Sequence, residues 1–72
     1  MKSKLKIYSD GTKVWYLNGQ FHRENGPALE RLDGTKMWFL NDKKYSEKEY
    51  WIELLKRGLV KKDDPKVLSA II

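Results

Sequence analysis

His22, Arg23 and Glu24 are the one place in this chain where a titrating base, a fixed cation and a carboxylate stand together. On a strand, His22 and Glu24 would share one face and Arg23 would take the other, so Glu24 could orient His22 for acid–base work. The plainer reading is that His22 flanks the turn Glu24-Asn25-Gly26-Pro27 and that Arg23 pairs with a nearby carboxylate. The plainer reading is the expected one: the chain has a single His, no Cys and no Ser–His–Asp spacing. A metal site needs three or four ligands, which one His and scattered acids do not supply. The glycines stand singly in turns with no helix starting behind them, so there is no phosphate loop either. No catalytic residue, cofactor or metal is expected.

The informative chemistry is apolar. Lys13 to Leu17 reads KVWYL and Lys36 to Leu40 reads KMWFL. Strand alternation puts Trp15, Leu17, Trp38 and Leu40 on one face, and Val14, Tyr16, Met37 and Phe39 on the other. A sheet with one wet side alternates apolar with polar, so a continuous apolar run means that both sides are covered. The chain offers one substantial helix as a lid, while five strands span about 24 Å at about 4.8 Å each. The second face therefore lies under the terminal segment, a second copy or a foreign partner. The Trp15/Trp38 face is expected beneath the helix, because two indoles give the largest burial. Tyr16, Met37 and Phe39 are left as the candidate contact surface, with Phe21, His22 and Arg23 beside them on the next strand. Tyr, Phe, Met and Arg are the residue types enriched at interface cores.

These strands belong to a repeat. Asp10 to Asn18 (DGTKVWYLN) returns at Asp33 to Asn41 (DGTKMWFLN), an offset of 23 residues with seven of nine positions identical. A unit this short cannot bury its own apolar face and must stack on a neighbour. Lys4 to Tyr8 reads as a strand, Asp10-Gly11 as a turn and Lys13 to Leu17 as the next strand. Asn18-Gly19 makes a second turn, and Gln20 to Arg23 is a short return strand ended by Glu24-Asn25-Gly26-Pro27. Ala28 to Leu32, Asp33-Gly34 and Lys36 to Leu40 repeat the opening, and Lys43 to Tyr45 adds a sixth, edge strand. A two-residue Asp10-Gly11 loop sets Ile7 against Val14. The same loop at Asp33-Gly34 sets Arg31 against Lys36, whereas a three-residue loop with a bulge pairs Glu30 with Lys36; both stay open at this level.

After Asn41 the second unit departs from the first. Ser46 and Glu49 form a capping box that satisfies two amides at a helix start. Tyr50, Trp51, Leu54 and Leu55 make its apolar stripe, and Gly58 closes it. Asp63-Asp64-Pro65 opens a short terminal helix that carries Val67, Leu68, Ile71 and Ile72. The expected fold is thus mainly β within the α+β class. It is an antiparallel meander of five to six strands (residues 4–45) from about one and a half repeats, with a capping helix (46–58) and a tail with a short helix (59–72), in one domain.

Seventy-two residues bury only about 60% of the surface that the unfolded chain exposes, so stability depends on using most large apolar residues. The formal charge of +5 attracts polyanions, but the lysines are dispersed and Glu24, Glu30, Asp33 and Asp42 lie on the same hairpins. MKSKLKIYSD is basic without the apolar stretch of a signal peptide, and no segment is long enough to cross a bilayer, so a cytoplasmic place is expected.

DGTKVWYLNGQFHRENGPALE followed by DGTKMWFLND resembles the MORN-repeat-variant proteins, in particular the DG…WY-NG…HR-x-x-GPA hairpin repeats of small tailed-phage and giant-virus proteins. The likeness covers roughly Ser9 to Asn41. Asp42 stands where the pattern has Gly, and KKYSEKEYW replaces the HR-x-x-GPA continuation. The resemblance implies a hairpin-repeat scaffold, a phage origin and no enzyme activity. The expected role is a binding module that inhibits a host enzyme or defence complex in the host cytoplasm. The alternatives are a single-stranded nucleic-acid binder and an antitoxin or immunity protein. A homodimer through the sheet face or residues 67–72 is a further option.

Overall fold

The computed structural model describes residues 3–71. Six strands form the sheet: β1 (Lys4–Ile7), β2 (Lys13–Leu17), β3 (Gln20–Phe21), β4 (Leu29–Glu30), β5 (Lys36–Leu40) and β6 (Lys43–Tyr45). Two helices follow, α1 (Glu47–Lys56) and α2 (Pro65–Ile71). All pairings are antiparallel. The chain is mainly β, of the α+β class, and meander-like in order.

Both DG turns are three-residue loops. At the first, the Tyr8 amide donates to Thr12 O (2.9 Å), the Gly11 amide donates to Tyr8 O (2.9 Å), and Gly11 has φ 85°. At the second, the Arg31 amide donates to Thr35 O (2.9 Å) and Gly34 has φ 94°. Each aspartate accepts the amide of the following threonine, Thr12 at 3.0 Å and Thr35 at 2.9 Å. The DGT triplet thus supplies an Asx turn and a left-handed bulge residue together, which is what a three-residue loop requires. The resulting register sets Ile7 against Lys13 and Leu5 against Trp15, and in the second unit Glu30 against Lys36. It replaces the two-residue alternative of Ile7 facing Val14 and brings opposite charges together at Glu30–Lys36. The pairings next to the turns recur 23 residues later: Lys6–Val14 and Ile7–Lys13 as Leu29–Met37 and Glu30–Lys36, and Tyr16–Phe21 and Leu17–Gln20 as Phe39–Lys44 and Leu40–Lys43.

β3 and β4 are two pieces of one broken middle strand. Both lie on the same edge of β2, β3 beside Tyr16–Leu17 and β4 beside Lys13–Val14. Trp15 holds the two ends between them: its carbonyl accepts the His22 amide (3.1 Å), and its amide donates to Ala28 O (2.8 Å). On the opposite side the broken strand bonds β5, through Arg23 to Phe39 O and Ala28 to Met37 O. Arg23 to Pro27 loop out of the sheet between these anchors. The sequence pattern predicts two separate strands here; they are one strand broken at Pro27, which has no amide to give, beside Gly26.

α1 opens on Ser46, whose hydroxyl accepts the Glu49 amide (3.3 Å) and donates to the Glu49 carboxylate (2.9 Å). The box satisfies one helix-start amide here, where the sequence pattern suggested two. α1 ends in a pair of bonds, Leu59 amide to Leu54 O and Gly58 amide to Leu55 O, which is the Schellman arrangement. α2 has Pro65 as its first residue and Asp64 accepting the Lys66 amide at 2.9 Å.

Both helices lie on one side of the sheet. Leu40, Tyr50, Trp51, Leu54 and Val67 form the buried core, with Trp38, Tyr45, Val60 and Ile71 packed against it. The expected Trp15/Trp38 face divides in two. Trp38 and Leu40 lie under the helices, whereas Trp15 is covered by Arg23, and Leu5 and Ile7 beyond it stay 48% and 59% exposed. The tail does not fold over the opposite face, because Val67 inserts beside α1; Leu68 points outward, and Ile72 lies outside the described residues.

Tyr50 links helix to loop. It is fully buried, its hydroxyl donates to Arg23 O, and it accepts the Gly26 amide at 3.3 Å. Burial pushes its pKa up to about 12. Tyr50→Phe leaves both backbone groups unpaired and should cost about 1–3 kcal/mol in urea denaturation. Because the folded-state pKa is the higher one, this bond stabilises fully below pH 10 and is lost as pH rises towards about 12. The parent protein should therefore lose stability in that window by more than the Phe variant does.

Candidate binding face

Residues paired directly across strands project to the same side. Lys6, Val14, Leu29 and Met37 therefore form one line across the sheet, and Lys4, Tyr16 and Phe21 form the next, with Phe39 and Lys44 on the same side. Tyr16, Phe21 and Phe39 make a row: the first two ring centroids are 5.3 Å apart, the second two 5.0 Å, both pairs tilted. Neither helix covers this side. Val14 is buried by its neighbours, while Tyr16, Phe21, Met37 and Phe39 are half-buried.

Asp42 fixes the middle ring. Its carboxylate accepts the Phe21 amide (2.6 Å) and its own amide donates to Phe21 O (2.9 Å), so both backbone groups of Phe21 are held by one residue. That bond offsets the backbone cost of Asp42, which sits at φ 67° where the first unit has Gly19. At the other end, the Tyr8 and Tyr16 hydroxyls share a hydrogen bond (2.7 Å), which holds the Tyr16 phenol above its ordinary pKa. Val14, Tyr16, Phe21 and Leu29, with Tyr8 and Leu32 as walls, line an open groove of about 730 Å³.

Basic residues stand on both sides, with Lys13, Lys36 and Lys43 on the helix side, but the acids of the middle strand and its loop stand on one side only. Lys4, Lys6, Arg31 and Lys44 rim the aromatic face and are exposed. Glu24 and Glu30 lie on the other side, engaged by His22 (2.8 Å) and Arg23 (3.0 Å). The acids near the aromatic face sit at its ends and are already in use. The Thr12 and Thr35 hydrogen bonds hold the Asp10 and Asp33 carboxyls below the usual range, and Asp42 accepts from Phe21.

Two of the expected contact residues are not on this face. His22 is 3% exposed, with both ring nitrogens occupied: Nδ1 accepts the Asn41 amide (3.0 Å), so Nε2 carries the proton and donates to Glu24 (2.8 Å). Arg23 lies over the Trp15 ring at 3.8 Å and donates to Asn25 Oδ1, Pro27 O and Glu30 Oε1 at 2.9–3.0 Å. A Cβ on Gly26 would sit 3.1 Å from that guanidinium, so a larger residue there would press on Arg23. The HRENGPA segment is thus a built loop, with His22 and Arg23 as its internal fasteners. Tyr16, Phe21, Met37 and Phe39 do come together, and register adds Lys4, Lys6, Leu29 and Lys44 to them; sequence reading missed these because the register was open.

Searches against family models, curated proteins and solved structures returned no match. Among the described residues, no helix is long and apolar enough to cross a membrane.

The fastener role has a direct check. Arg23→Lys loses the planar fork and most of the stacking on Trp15, and should lower stability by about 1–3 kcal/mol. His22→Ala strands the Asn41 amide and should cost at least as much. If urea denaturation finds either variant as stable as the parent, the loop is held by something else.

Proposed function

We propose that this chain is a non-enzymatic binding module that docks on a protein partner through Tyr16, Phe21, Phe39 and Met37. One observation carries the reading: three rings and a thioether stay partly exposed on a side that no helix covers, in a domain with few large apolar residues to spare. Aromatic and Met side chains at the centre with basic residues at the rim are the composition of a binding patch. The cationic rim and the charge of +5 favour an acidic partner surface and would speed the encounter. Inhibition of a host enzyme or defence complex by a phage protein is the setting that the MORN-like resemblance suggests. Antitoxin or immunity action is the same physical act on a different partner.

A second reading has its own support. With Glu24 and Glu30 on the far side, the aromatic row is bordered by Lys4, Lys6, Arg31 and Lys44, which suits stacking of single-stranded bases beside phosphates. The two readings separate in solution. Titration with single-stranded oligonucleotides should show only weak binding; an affinity falling with salt at a log–log slope near about −3, as four phosphate contacts imply, would favour the nucleic-acid reading. Against a purified protein target, Phe39→Ala and Tyr16→Ala should each weaken affinity at least about tenfold, about 1.4 kcal/mol, while circular dichroism stays unchanged. Folded variants that bind the same target as tightly as the parent would remove this face from consideration.

A further inference from the structure

The two ends of the sheet are matching halves of the joint in its middle. Inside the chain, the first unit meets the second where β4 lies beside β2, with Glu30 opposite Lys13 and Leu29 opposite Val14. β1 is the equivalent of β4, and β5 the equivalent of β2, 23 residues apart in each case with identical hairpin registers. Among the described residues, no strand lies beside the outer edge of β1. Nor does one lie beside the outer edge of β5 at Lys36–Met37, because β6 pairs only with Trp38–Leu40. The Thr35 and Met37 carbonyls both face the β4 side, so by alternation the Lys36 amide and carbonyl face outward. α1 packs over the face of β5 and β6, and β6 occupies only the far half of this edge.

A second detail marks the same vacancy. At the internal joint the Leu32 side chain rests on Gly11, where a Cβ would stand; the equivalent Gly34 has nothing within 4 Å. Ser9 of a following copy would occupy that place, as the counterpart of Leu32.

We infer that the chain associates head to tail with a second copy of itself, β1 of one molecule adding to the Lys36–Met37 edge of β5 in the next. The intermolecular register follows from the internal one: Ile7 opposite Lys36, and Lys6 opposite Met37. Leu5, half exposed in the single chain, then lies beside Trp38. This joint is heterologous, so both ends of each assembly stay available. Pairing two β1 strands over their full length instead, with faces kept in common, would set Lys4 against Lys6 or Lys6 against itself, which like charge disfavours; the register centred on Ile7 avoids this but pairs only the end of the strand.

The absence of cysteine makes a clean test. Within one molecule Lys6 and Met37 are three strand spacings apart, about 14 Å at about 4.8 Å each, too far for a disulfide. Lys6→Cys with Met37→Cys, oxidised in air, should give a ladder of covalent dimers, trimers and longer species on a non-reducing gel. Each single variant should stop at dimers. A double variant that does no more than the single ones overturns the inference. The unmodified protein provides an independent arm: its weight-average mass in sedimentation should rise with concentration, and Lys36→Pro, which removes an outward amide and no internal bond, should weaken that association at least tenfold. A protein that stays monomeric into the millimolar range would overturn it as well.

Discussion

The fold turns on Trp15, whose two backbone groups hold the two ends of a broken strand. Its carbonyl takes His22 and its amide gives to Ala28, so the middle of the sheet is continuous in hydrogen bonds although the chain departs for five residues between them. That departure has three consequences. It carries Arg23 back over the Trp15 ring, so an indole that no helix reaches is still covered. It presents Arg23 O and the Gly26 amide to Tyr50, which ties the helical layer to the sheet. And it keeps Glu24 on the helix side, where strand alternation already points Glu30, which leaves the other side without a central acid. A loop that could be taken for a catalytic cluster is therefore the joint between two repeat units.

The lid is too small for the sheet. Val67 packs against Leu54, Trp51 and Leu40 in the core, where at 0% exposure it keeps all of its apolar area out of water. α2 therefore extends the existing core rather than starting another. The cost falls on β1 and on the opposite face: Leu5 and Ile7 keep about half of their surface in water, and Val14 is the one fully buried residue among its neighbours there.

The period of 23, the turn residues and the stripe of α1 could all be read from the sequence, because each depends on residues close together in the chain. The register could not be read from composition alone. It was decided by the Asp10 and Asp33 side chains accepting the Thr12 and Thr35 amides, a local bond visible in DGT once its geometry is considered. The uncovered face was half legible. Alternation placed Tyr16, Met37 and Phe39 together correctly, yet His22 and Arg23 were set beside them by treating His22–Arg23 as strand, when the chain has already begun to leave the sheet there. Asp42 looked like a lapse from the repeat, and its bond to Phe21 lies 21 residues away, beyond the reach of any local rule.

A sequence that specifies one structure usually satisfies pattern, turn chemistry and packing together, and the places where one of them fails tend to be functional. Here turns, caps and the HRENGPA loop are all consistent with the fold. The failure is confined to the apolar pattern on the uncovered side. Burying Val14 does not need three aromatic rings, since Leu29 and the stem of Lys6 already flank it across the strands. Polar residues at Phe21 and Phe39 would suit a solvated sheet and would lower the hazard of non-specific association. Asp42 accepts an unfavourable backbone conformation and in doing so fixes Phe21 between the other two rings. Strain is spent here on holding a half-buried ring of the uncovered side in place, rather than on filling the core beneath the helices.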